Sequence, residues 1–112
     1  MRQYPVNDEG DGDMRTTRVR MLSGFNHNLK YKGKIFHIQT EDGGKDNPQI
    51  LTHAFLGGVI LDTVRQPYED LLGKPDWQDV LRGRMKAQHL EEIRKLFSGA
   101  FDAQTETPSE ND

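Results

Sequence analysis

Two glycine-bearing turns, Lys32-Gly33 and Gly57-Gly58, each sit between runs of strand-forming residues, and this leaves few folds open. A two-residue loop containing glycine between such runs is a strong local signal for a β-hairpin. The first hairpin reads Phe25–Tyr31 against Lys34–Glu41, and the second Gln49–Leu56 against Val59–Arg65. Two hairpins in series predict an antiparallel meander.

The register of the first hairpin can be tested on the residues alone. With Lys32-Gly33 as a two-residue loop, Leu29 stands opposite Phe36, His27 opposite Ile38 and Phe25 opposite Thr40. One face then collects Phe25, Leu29, Tyr31, Phe36 and Ile38. The other collects Asn26, Asn28, Lys30, Ile35, His37, Gln39 and Glu41. A three-residue loop would mix the two sets. A slip of one residue exchanges core for solvent, so the coherent pattern selects the two-residue loop.

The second hairpin is apolar on both faces. With Gly57-Gly58 as its turn, Leu51, His53, Phe55, Ile60, Asp62 and Val64 share one side. Ile50, Ala54, Leu56, Val59 and Leu61 share the other, with Thr52, Thr63 and Arg65. A strand pair of this kind needs cover on two sides.

One long helix follows. Asp76 with Asp79 three residues on predicts an N-cap in a loose capping box, and Gly99 predicts the stop, giving a helix over Trp77–Ser98. Trp77, Leu81, Met85, His89, Ile93 and Leu96 recur at three- and four-residue spacing, with Leu90 and Phe97 widening the stripe. Arg82, Arg84, Lys86, Glu91, Glu92, Arg94 and Lys95 supply the solvated side. Phe101 is expected to fold back on the core. Gln66–Pro75 reads as a connector with one helical turn.

The expected fold is therefore α+β: a four-stranded antiparallel meander packed by one C-terminal helix, with a fifth, N-terminal edge strand from Met14–Ser23 as an open alternative. A chain of 112 residues is one domain by length. Its hydrophobic fraction of 33% is low, because residues 1–13 and 102–112 are acidic and polar and read as disordered tails around a domain over 14–101. The net charge of −3 gives no overall mandate for nucleic acid, and the absence of cysteine excludes disulfide and zinc-thiolate sites. No run approaches a membrane span of about 18 residues, and there is no apolar signal core. The expectation is a soluble cytoplasmic protein.

Several phrases stand out together: His27-Asn28, Tyr31-Lys32-Gly33-Lys34, His37 through Gly44, Thr52-His53-Ala54-Phe55 and Met85 through His89. They resemble a group of small bacterial proteins and domains of uncharacterised function. The resemblance spans Gly24–Gly99 and implies a bacterial origin and a single domain, with no activity or cofactor attached.

Three functional readings follow. Covering the second hairpin with a second copy would bury Leu51, Phe55, Ile60 and Val64, or the opposite set with Leu56 and Val59, so a self-associating protein–protein interaction or scaffold module is the leading reading. Arg18, Arg20, Lys30, Lys32 and Lys34 make a basic β-ribbon for nucleic acid the second. The third is a histidine-based enzyme or metal site drawn from His37, Gln39, His53, Asp62 and His89, in which His53 faces Asp62 across the second hairpin. No helical His-x-x-x-His, phosphate loop or nucleophile motif supports it, so no metal, cofactor or catalytic residue is expected.

Overall fold

The computed structural model describes residues 23–106. The acidic stretch 1–13, nearly all of the expected edge strand with Arg18 and Arg20, and residues 107–112 lie outside the described residues. Four antiparallel strands form one meander in the order β1-β2-β3-β4: β1 is Phe25–Tyr31, β2 Lys34–Asp42, β3 Gln49–Leu56 and β4 Val59–Pro67. A 3-10 turn at Glu69–Leu71 leads to the long helix α1, Trp77–Phe97, and a short helix α2, Asp102–Thr105, ends the described chain.

Both hairpin turns are two-residue loops with left-handed backbone at each position: φ is 50° at Lys32, 78° at Gly33, 59° at Gly57 and 83° at Gly58. That hand matches the twist of the strands they join. The first hairpin has the expected register, with Leu29 opposite Phe36 and His27 opposite Ile38.

The second hairpin departs from simple alternation. Phe55 pairs with Ile60, but Ala54 pairs with Asp62, so Leu61 is an extra residue in a β-bulge. Beyond it every side chain changes face. Asp62 and Val64 join the side that packs on α1, while Thr63 and Arg65 turn to the other. His53 therefore faces Thr63, and the expected His53–Asp62 pair does not form. An unbroken register would have placed Arg65 under the helix. The bulge keeps that charge in water and sends Val64 inward instead.

Helix α1 covers one face of the sheet with Leu81, Met85, His89 and Leu96, as the stripe predicts, and also with Gln88 and Glu92. Glu92 was expected on the solvated side, yet it is 1% exposed. Leu90 and Phe97 do not widen the buried stripe; both are about half exposed. Asp76 precedes α1 without a side-chain cap, so the capping box is not made. The C-terminus closes as expected: Gly99 has φ of 91°, its N–H reaches the Leu96 carbonyl, and Ala100 N–H reaches that of Lys95. Phe101 folds back and is buried. Order continues past it, because Asp102 and Glu106 accept from Lys32 Nζ at 2.8 and 3.1 Å.

The core is two apolar clusters. One holds Phe36, Ile38, Ala54, Leu96 and Phe101, and the other Ile50, Tyr68, Leu71, Leu81 and Met85. Tyr68 comes from the stretch read as a connector, yet it is fully buried; it stacks on Trp77 and donates its hydroxyl to Asp42 Oδ1.

Candidate functional site: the uncovered face of the sheet

Alternation along the strands delivers two different surfaces. The face under α1 is closed. The other has no described element over it, and the pairing lays its side chains in cross-strand rows: Glu41, Leu51 and Arg65; then Asn26, Gln39, His53 and Thr63; then Asn28, His37, Phe55 and Ile60. Lys30 and Ile35 extend it toward the first turn.

Phe55 is the centre of this face. The ring of His37 lies 5.9 Å from it on one side and that of His53 5.5 Å on the other. Each imidazole is held. His37 Nδ1 lies 2.7 Å from Asn28 Oδ1 and its Nε2 3.0 Å from Asn26 Oδ1. A carboxamide can turn either its oxygen or its nitrogen to the ring, so this bracket satisfies His37 neutral or charged. His53 Nδ1 bonds the Thr63 hydroxyl at 2.9 Å, and Gln39 donates to Glu41. Around these polar groups Ile35 and Ile60 stand 56% and 52% exposed. The surface is an aromatic centre whose polar side chains are hydrogen-bonded to one another.

The expected polar set is thus divided. His37, Gln39 and His53 meet on the open face. His89, on the inner side of α1, and Asp62, on β4, face the helix–sheet interface. Of the first expected interface set, Leu51, Phe55 and Ile60 are on the open face and Val64 turns to the helix side, where the alternative pair Leu56 and Val59 lies as expected. Among the described residues no group of three or more histidines or carboxylates could hold a metal ion. Of the basic hairpin, Lys32 is already paired with Asp102 and Glu106, which raise its pKa.

Beneath α1 runs a buried polar seam between the two apolar clusters, which the sequence reading missed. Gln66 Nε2 donates to Gln88 Oε1 at 3.1 Å, and Gln88 Nε2 to Thr52 Oγ1 at 2.9 Å. Thr52 and Thr40 hydroxyls are 2.7 Å apart, Thr40 is 2.8 Å from His89 Nδ1, and His89 Nε2 is 2.8 Å from His27 Nδ1. With Gln88 Nε2 donating to Thr52, the run Thr52 to Thr40 to His89 to His27 satisfies every contact, and so does the reverse run, because each threonine oxygen can accept twice. Desolvation, not the hydrogen-bond count, selects neutral His89. Burial drives its pKa down to about 4, with the neighbouring His27 and His37 adding to the effect. The available signal in the sequence was Thr40 and Thr52 at inward positions of alternating strands.

Among the described residues no helix is long and apolar enough to cross a membrane. Set against known proteins, the chain matches no family model, no curated protein and no solved structure.

Proposed function

We propose that this chain is a non-enzymatic interaction module that binds a second copy of itself through the uncovered sheet face. The observation that carries the reading is the central trio His37, Phe55 and His53, flanked by Leu51, Ile35 and Ile60, on a face that no element among the described residues covers. Four strands of about eight residues, spaced ~4.8 Å apart with ~3.3 Å per residue, offer a face of about 500 Å². Two copies packed face to face would bury about 1,000 Å², the lower limit for a specific interface. A weak dimer, with a micromolar dissociation constant, is therefore expected. Two twisted sheets stacked in this way interdigitate their inner side chains, as in a sandwich.

Sedimentation velocity over a dilution series tests this. The unaltered chain should shift from dimer to monomer through the micromolar range. Phe55→Asp, which leaves the helix side untouched, should stay monomeric with an unchanged circular dichroism spectrum. A monomer at every concentration removes the reading. Salt-sensitive binding of an oligonucleotide, abolished by Lys30→Glu, would move the function to the basic hairpin instead.

A further inference from the structure

Where α1 crosses the bulge of β4, one buried oxygen has no donor. Glu92 is 1% exposed; its Oε1 accepts from Lys95 Nζ at 2.8 Å, and its Oε2 has no hydrogen-bond partner among the described residues. The same ammonium reaches Asp62 Oδ2 at 2.6 Å, and the Asp62 carboxyl stands within hydrogen-bonding reach of Glu92. One cation thus faces two carboxyl groups. If both were ionised, the buried Glu92 would share one partly exposed cation with the partly exposed Asp62, and neither carboxylate could donate to the other. A proton on Glu92 Oε2 removes both faults at once.

We propose that Glu92 carries a proton in the folded protein below neutral pH and donates it to Asp62, so that Asp62, Glu92 and Lys95 form a proton-operated latch between the end of α1 and β4. The electrostatics agree. Burial, reinforced by Asp62, pushes the Glu92 carboxyl up to about 7 against the opposing pull of Lys95. Burial alone would raise Asp62 as well, but its bonds to Glu92 and Lys95 outweigh that and hold it low. Glu91, which also feels Lys95, is paired with Arg94. His89, one turn back on α1, is engaged with Thr40 and His27, and β2 and β3 turn Ile38, Thr40, Thr52 and Ala54 to this side. Beyond α1, Asp102 is tied to Lys32.

The latch holds more than itself. Lys95 Nζ lies 5.9 Å over the Phe101 ring, and Gln104 donates to the carbonyl of Leu61, the bulge residue, at 3.1 Å. Loss of the Glu92 proton therefore loosens the segment from Glu92 to Gln104 and leaves the Leu81 end of α1 seated.

Amide hydrogen exchange by NMR at about pH 6 and about pH 9, corrected for intrinsic rates, reads this directly. Opening of the amides between Glu92 and Gln104 should rise by up to about a hundredfold at the higher pH, two units above the Glu92 midpoint, while amides near Leu81 change little. Glu92→Gln supplies a permanent donor and should abolish the rise. A rise of equal size in Glu92→Gln, or none in the unaltered chain, overturns the latch. A carbon-13 titration of the Glu92 carboxyl decides the same point without any variant. A midpoint near 7 supports the proposal, and one in the ordinary carboxylate range refutes it.

Discussion

In a Glu92→Gln background, the unfolding free energy should fall by about 3 kcal/mol as the pH drops from about 6.5 to about 4, through His89. Burial favours the neutral imidazole in the seam, where His89 meets Thr40 and His27. Its pKa falls from 6.5 to about 4 on folding, chiefly through burial. The unfolded chain therefore binds a proton in this range and the folded chain does not. The stabilisation is complete above pH 6.5 and is lost as the pH falls to about 4, at about 1.4 kcal/mol per pH unit. In the unaltered chain Glu92 works in the opposite sense. Its pKa rises from 4.5 to about 7 on folding, so its contribution is present below pH 4.5 and is lost as the pH climbs through 7. Between about pH 4.5 and 6.5 the two slopes offset each other, and the unaltered chain should show a nearly flat profile there. Urea unfolding at a series of pH values separates them. Glu92→Gln should expose the rising slope, and adding His89→Gln should flatten it. A slope that survives in the double variant would assign the titration to another group.

Tyr68→Ala should destabilise the fold by about 3–5 kcal/mol, the cost of emptying an aromatic site in a packed core. Tyr68 is fully buried in the cluster with Ile50, Leu71, Leu81 and Met85 and stacks on Trp77 with ring centroids 6.4 Å apart. A domain of this size has about 5–10 kcal/mol in total, so the variant should be largely unfolded at modest denaturant. Tyr68→Phe isolates the hydroxyl. It keeps the ring and removes the bond to buried Asp42, whose Oδ1 also accepts from the Gly44 amide at 2.8 Å. The expected cost is about 1–3 kcal/mol, the range for withdrawing a donor from a buried charged acceptor. A neutral Tyr68→Phe would mean that Asp42 is fully served by its other partners. Equal losses in both variants would mean that the hydroxyl, not the ring, anchors the connector.

Much of this arrangement was open to local reasoning. A glycine in each two-residue turn made the hairpins legible, because left-handed backbone is cheap only there. The register of the first hairpin followed from keeping Leu29, Phe36 and Ile38 together. Gly99 marked the end of α1, and the spacing of Leu81, Met85, His89 and Leu96 marked its inner face. The open face was half legible. His37, Gln39 and His53 were singled out from the residues alone, and the pairing places them around Phe55.

The chain alone determined what short-range physics can decide: where it turns, which runs extend, where the helix stops, and that one helix cannot cover two apolar faces. Only the tertiary structure decided the rest. The bulge at Leu61 has no local signature, because Val59–Arg65 reads as an unbroken strand. It exists because regular alternation would have driven Arg65 under α1. Tyr68 looks like part of a polar loop until β3 and α1 define the space it fills. Gln88 and Glu92 look like solvated helix residues until Thr52 and Asp62 arrive from distant positions to meet them, with Lys95 of the same helix bridging Glu92 to Asp62. A buried polar group is affordable only with its partners in place, and those partners are set by how helix and sheet meet, not by their neighbours in the chain.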